Sequence, residues 1–237
     1  INIYLLSASD RFNYGDLLFP IVAKHKLSKI GDFKFHNIAI IDSDLSYSGA
    51  LPTKNYKSLL DYNNIPSNST LIIAGGQVLN ANWSRLISYL TPFYNYIYRR
   101  FSGDSLEKVA KYLFGKNETP YPFTTFSKKS LEHYKIIYHA VGGLGSHNLP
   151  FQKEISQSFQ ANKYFSVREN KTYAEIKKNY DIDVTLVPDS VLVLSDIISK
   201  ASLDRPIDEK YVCVQFGFQK SKAKLPVILS ELKKIHE

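Results

Sequence analysis

A chain of 237 residues with 44% hydrophobic side chains can bury a full core, which excludes disorder and suits one large domain or one domain plus part of another. Thirty Lys and Arg against 22 Asp and Glu give a net charge of +8, which favours acidic small molecules, anionic lipid or nucleic acid as partners. The basic residues come singly or in pairs such as Arg99-Arg100 and Lys177-Lys178 without any nucleic-acid-reading motif, so solvated helix faces account for them and no nucleic-acid partner is expected.

The first apolar run, residues 1–6, reads as a buried strand rather than a secretion signal. It leads to Asn13-Tyr14-Gly15-Asp16, where a helix opens near Asp16. Leu17, Leu18, Ile21, Val22 and His25 fall on one face of that helix, with Pro20 tolerated in its first turn. Strands follow at residues 35–41 and 70–74, the second ending on Gly75-Gly76. The stretch 89–101, YLTPFYNYIYRRF, is the one compositional outlier. Its aromatics and arginines suit a membrane interface or stacking on sugar rings, and a core helix with a basic end is the simpler reading.

Three more strands are expected at residues 135–141, 164–167 and 184–187. They end respectively on Gly142-Gly143-Leu144-Gly145, on Arg168-Glu169-Asn170 and on Pro188-Asp189-Ser190. Helices are expected around Ala174, Ile176 and Lys177 and over residues 192–198. The polar, Pro206-containing segment 204–209 reads as a linker between a domain over 1–203 and a second domain over 210–237, opening with a strand at 211–216 and a helix at 223–235. The complete absence of Met and an end within a helical pattern both suggest an incomplete sequence; the second domain either continues beyond Glu237 or its strand and helix finish the first sheet. A single cysteine, Cys213, in an apolar run offers neither a disulfide framework nor a CxxC metal site. With no run of 18 apolar residues either, a cytoplasmic setting is expected.

Apolar runs alternating with helical periods give an α/β fold, a Rossmann-like open parallel sheet with helices on both faces. Ligands of such sheets bind beyond the carboxyl ends of the strands, and five of the loops named above would share that edge. Glycine lets backbone N–H groups approach an anion, so Gly75, Gly76, Gly142 and Gly143 are candidate binding residues, although paired glycines also make simple tight turns. Arg168, at a strand end, suits a two-point contact to carboxylate or phosphate, or else a surface pair with Glu169. Asp16 is either a helix N-cap or a carboxylate that removes a proton from an acceptor hydroxyl. His139, inside an apolar strand, reads as a satisfied core residue, while His147 lies beyond the glycines and is a candidate to face a ligand. The fingerprints of dinucleotide folds, P-loops, serine hydrolases and zincins are all absent, and no cofactor is expected.

Taken in order, N-x-G-D after the first strand, A-G-G, V-G-G-L-G, S-V-R-E-N and V-P-D-S resemble the polysaccharide pyruvyl transferase family over residues 1–195. Phe12, Ala74 and Ser190 stand where that family more often has Gly, Gly and Pro. The resemblance implies the first half of a two-domain, GT-B-like arrangement. It further implies transfer of pyruvate from phosphoenolpyruvate onto a sugar of a glycan as a ketal, with possible peripheral contact to a membrane-linked acceptor. It makes Asp16 the base, oriented by Asn13, and places Gly15, the four glycines, His147, Arg168 and Asp189 around the substrates. A later arginine and histidine, beyond Glu237, are expected to complete the site. A GT-B-type glycosyltransferase using a nucleotide sugar and a non-catalytic sugar- or phosphate-binding domain are the alternatives.

Overall fold

The computed structural model describes residues 1–100, 104–115, 121–144, 152–204, 209 and 224–236. Two compact units emerge, Ile1–Ile198 and Ser199–Glu237. The first is built on one seven-stranded, all-parallel sheet in the order β3-β2-β1-β4-β5-β6-β7. Its strands are β1 (Asn2–Leu6), β2 (Lys34–Ala39), β3 (Lys54–Asn55), β4 (Ser69–Ala74), β5 (Tyr134–Val141), β6 (Tyr164–Val167) and β7 (Thr185–Leu186). This is the Rossmann order, with the direction of travel reversing between β1 and β4. The six expected strands of this unit are present to within about two residues at each end. Cys213 and the expected strand at 211–216 lie outside the described residues.

The two faces of the sheet are covered unequally. Tyr4, Leu6, Leu71, Ile73, Ile136 and Tyr138 alternate onto one face, where they join Trp83, Leu86, Phe123 and Phe159 in a single buried cluster. Tyr138 stacks on Phe165 at 4.3 Å between ring centroids, and Phe159 meets both rings edge-on. The helices on this side come from the connections that follow β4: α2 (Trp83–Ser88), α3 (Pro92–Arg100), α4 (Asp104–Gly115), α5 (Lys128–His133), α6 (Gln152–Gln160) and α7 (Asn170–Asn179). On the other face α1 (Tyr14–Ser28) packs Phe19 and Val22 toward Leu5. Ile72 and Ile137 are only half-buried there, so an apolar groove of about 490 Å³ runs beside α1, rimmed by Lys26, Lys29 and Ser190.

Several local expectations change in the structure. Pro20 lies in the second turn of α1 rather than the first, where its missing N–H leaves the Asp16 carbonyl without a helical donor. The helix expected over 192–198 is a 3₁₀ segment, Ser190–Asp196, held to α1 by the Lys26–Asp196 pair at 3.1 Å. His139 is exposed toward the groove and bonds Ser190 at 2.8 Å, because its place in β5 alternates away from the buried cluster. The aromatic segment is not a core helix, since α3 has no buried residue. In the second unit a short 3₁₀ turn at Lys200–Ser202 and a helix at Leu225–His236 are described.

Candidate functional site

At the switch point between β1 and β4, the loops leaving both strands diverge and open a crevice of about 630 Å³. Asn13, Asp16, Gly76, Gln77, Arg85 and Arg168 line it, together with Arg11 and Tyr89. Asp16, Gly76 and Arg168 therefore meet, although they come from three strand ends that are distant in sequence, while Gly143, expected beside them, is not among the lining residues.

The loop after β1 is fixed by a buried carboxylate. Asp10 is 4% exposed, and its Oδ2 accepts the Ile40 and Ile41 N–H groups at 3.0 and 3.3 Å. Its Oδ1 accepts Arg11 Nε at 2.8 Å, and Arg11 Nη1 donates to the Leu86 carbonyl at 3.1 Å. The Arg11 guanidinium also lies under the Tyr89 ring, 5.7 Å from its centroid. One acid-base pair thus ties the loop after β1 to the end of β2 and to α2, and neither member stood out in the sequence.

Asp16 occupies the third position of α1, so it is not the N-cap. Asn13 holds the cap position, but its side chain instead donates to Asp16 Oδ2 at 2.6 Å. Burial pushes the Asp16 carboxyl above its ordinary range, against the Asn13 hydrogen bond and the charges of Arg11 and Arg168. Gly15 is exposed, and a methyl group on it would meet only Asn13 Oδ1, at 3.9 Å.

The glycine pairs do something other than cradle an anion. Past the last ladder residues, Gly75 N–H donates to the His139 carbonyl, Gly142 N–H to the Gly76 carbonyl and Leu79 N–H to the Gly142 carbonyl, at 3.4, 3.0 and 3.1 Å. The N–H of Gly143 donates to Glu169 Oε1 at 2.7 Å. The N–H groups of Gly75, Gly142 and Gly143 are thus engaged within the protein, in contrast to the donor contact expected of them, and the loops after β4 and β5 are zipped together. Glycine is required here by close approach: a methyl group on Gly75 would lie 2.3 Å from the Phe19 ring, and one on Gly143 2.8 Å from the Gln77 backbone. Only Gly76 of the four faces the crevice, its Cα side 3.3 Å from Asp16 Oδ1 as an added methyl would measure it. A bulge before the loop, with Ala140 at φ 49°, shifts the β5–β6 register and sets Gly142 beside Gln77.

Arg168 leaves β6 and pairs through Nη1 with Asp189 Oδ2, not with Glu169. Asp189 also accepts the Val191 N–H at 3.1 Å, capping the 3₁₀ segment. Glu169 meanwhile accepts the Thr172 hydroxyl at 2.6 Å. Burial alone would raise its carboxyl, but the Thr172 and Gly143 hydrogen bonds and the Arg168 charge hold it below the ordinary range. The V-R-E-N and V-P-D-S motifs are therefore one structural unit: the arginine is steadied by the later aspartate, and the glutamate pins the glycine loop. His147 lies outside the described residues.

The family model for polysaccharide pyruvyl transferase matches residues 13–233, spanning nearly all of the chain and most residues of the crevice, from Asn13 and Asp16 to Arg168. The chain belongs to the polysaccharide pyruvyl transferase family. It is accordingly a transferase of a family that acts in polysaccharide biosynthesis. None of the curated proteins and none of the solved structures compared with the chain matches it. No helix among the described residues is long and apolar enough to cross a membrane, and these residues contain no cluster of His, Cys, Asp and Glu able to hold a metal ion. The crevice brings Arg85 and Arg168 beside the Asp16 carboxylate, with Arg11 held in its wall by Asp10.

Proposed function

We propose that this pyruvyl transferase moves pyruvate from phosphoenolpyruvate onto a sugar of a polysaccharide or glycan precursor as a ketal, with Asp16 as the general base. The observation that carries the reading is the Asp16 carboxyl, raised by burial and facing a crevice that also presents Arg85 and Arg168, with Arg11 held in its wall by Asp10. Phosphoenolpyruvate carries a carboxylate and a phosphate, and guanidinium groups match both geometries. Protonation of its methylene carbon makes the central carbon electrophilic. One sugar hydroxyl attacks that carbon and phosphate leaves. A second hydroxyl then closes the ketal; of the two hydroxyl protons released, one balances the new methyl group and the other ends on phosphate.

A base for this chemistry benefits from a pKa lifted toward the working pH, and the burial that raises the Asp16 carboxyl, opposed by its hydrogen bond from Asn13 and the Arg11 and Arg168 charges, supports that role. Asn13 positions it, and Arg168, steadied by Asp189, is the donor-binding group. Gly76 allows the donor close to the backbone beside Asp16. The glycan acceptor enters from the Tyr89 side of the crevice, and in this reading it is presented at a membrane surface.

The test is phosphate release from phosphoenolpyruvate in the presence of glycan acceptors, with mass spectrometry of the acceptor. A gain of a ketal-linked pyruvate supports the reading. Nucleotide release from a nucleotide sugar, without consumption of phosphoenolpyruvate, overturns it.

A further inference from the structure

Among the described residues of the Ile1–Ile198 unit, the helices after β4 leave an apolar and basic face exposed. Packing within this group is already complete on its inner side: Trp83, Leu86 and Ile87 of α2 are buried, and Glu107 of α4 accepts the Trp83 and Ser84 N–H groups at 3.1 and 2.9 Å. Ala110 of α4 is buried and Tyr94 of α3 reaches the Leu106 carbonyl at 3.4 Å. The outward residues are nonetheless large and apolar. Phe93 and Tyr96 of α3 are 74% and 64% exposed, and Tyr112 of α4 is 68% exposed, with Val109 and Leu113 beside it.

The spacing makes these stripes rather than scattered residues. Phe93, Tyr96 and Arg100 fall at i, i+3 and i+7 on α3, and Lys108, Val109, Tyr112 and Leu113 at i, i+1, i+4 and i+5 on α4. The exposed charges of α3 and of the middle of α4 are basic. Arg99, Arg100 and Lys108 are exposed, α3 carries no acidic residue, and Glu107 is turned inward to α2. Amphipathic aromatic rings with flanking Arg and Lys suit the headgroup level of a lipid bilayer, where the rings reach the acyl boundary and the cations meet phosphate. Val109 and Leu113 have nothing to offer a sugar ring, and the shared positive charge disfavours pairing with a second copy of the same face.

We propose that the exposed face of α3 and α4 is a docking surface for an anionic membrane. The face is continuous with the candidate site, because Tyr89, just ahead of α3, lines the crevice and covers Arg11. Docking through α3 and α4 thus brings the crevice to the height of lipid headgroups, where a lipid-carried glycan presents its sugars. The docking itself does not depend on pyruvyl transfer.

Co-sedimentation of the full chain with vesicles tests this, comparing phosphatidylglycerol–phosphatidylcholine mixtures with phosphatidylcholine alone at low and high salt. The chain is expected to bind the anionic vesicles, and raised salt to release it. Phe93→Ser/Tyr96→Ser/Tyr112→Ser and, separately, Arg99→Glu/Arg100→Glu should each weaken binding at least about tenfold, since one basic residue near the surface is worth roughly a fivefold change. Phosphate release with a water-soluble acceptor should stay within about twofold in both variants, because none of these residues lines the crevice. Should the triple serine variant fail to fold by circular dichroism, the charge-reversed variant decides alone. No binding to anionic vesicles at low salt, or binding unchanged in a folded variant, overturns the proposal. So does a dimer that the variants dissociate, or retention on an anionic polysaccharide without vesicle binding. Vesicle binding in a chain that consumes no phosphoenolpyruvate would instead overturn the proposed reaction and leave the docking surface standing.

Discussion

The crevice beyond β1 and β4 holds about 630 Å³ and the groove beside α1 about 490 Å³, yet the two are built from opposite materials. Three arginines, Asp16, Asn13 and Gln77 line the first. The second is floored by Leu5, Ile72, Ala74 and Ile137, with polar groups only at its rim. Both belong to the Ile1–Ile198 unit and share β1 and β4 as boundaries. Their difference follows from strand topology: where the chain reverses direction, loops diverge and polar ends are left facing each other, whereas along this sheet face the strand alternation supplies apolar side chains with His139 as the polar exception. The apolar groove is a place where the described residues leave the sheet uncovered, and the polar crevice is the one proposed to hold the chemistry. Each substitution below either breaks that contrast or sharpens it.

The largest effect is expected at Asp10, which holds the crevice open without lining it. Its carboxylate is fully buried, pairs with Arg11 and accepts two backbone N–H groups, so Asp10→Ala leaves a buried guanidinium and two amides unpaired. Loss of one partner of such a pair costs about 3–5 kcal/mol. Chemical denaturation should show that loss; a change under about 1 kcal/mol would mean water replaces the carboxylate.

Asp16 comes next and should behave in the opposite way. Asp16→Asn is expected to reduce phosphate release by roughly 100-fold or more while leaving stability unchanged or slightly improved. The sign follows from the raised folded-state pKa: such a carboxyl stabilises the fold at low pH, and that contribution is lost as pH rises through the folded value, so removing the charge at neutral pH costs nothing. In the unmodified chain the acid limb of the rate profile should lie above the ordinary carboxylate range, because the base must be ionised to work. Near-normal turnover in the asparagine variant would reduce Asp16 to a positioned crevice residue.

Arg168→Lys should act more mildly, raising KM for phosphoenolpyruvate about tenfold with little effect on KM for the acceptor, since lysine keeps the charge but loses the planar two-point contact. Equal change in both constants would place Arg168 between the substrates rather than on the donor.

How much of this contrast was legible in the sequence depended on distance along the chain. The strands were readable as apolar runs, and the crevice edge followed from the loops after them. The two-residue β3, Lys54–Asn55, has no apolar run to reveal it and exists only by pairing with β2. Asp10 was not singled out in the sequence, because its partners, the Ile40 and Ile41 amides, lie about thirty residues away. Arg168 was singled out, but its neighbour Glu169 was the natural guess for a partner, and the true one, Asp189, is supplied by the curl of the chain past β7. The glycines were read as an anion-binding edge or as tight turns, since nothing local distinguishes an amide turned to a ligand from one turned to the next loop. His139 and α3 were misread for one reason: apolar neighbours suggest burial, and only the coverage of a face decides it.

The smallest effect should come from the groove. Ile137 lies on its floor, half-buried, on the face opposite the main core. Ile137→Thr keeps the β-branched shape that suits a strand and exchanges one apolar arm for a hydroxyl already close to solvent. The expected cost is about 1 kcal/mol of stability or less, well short of what a fully buried isoleucine would show. Turnover should stay within about twofold, because the register that positions Gly142 is set by the Ala140 bulge further along β5 and not by Ile137. A tenfold or greater fall in phosphate release, with the fold intact, would mean that the groove communicates with the crevice through β4 and β5. The contrast between an apolar face and a chemical edge would then fail, and the groove would have to be counted as part of the site.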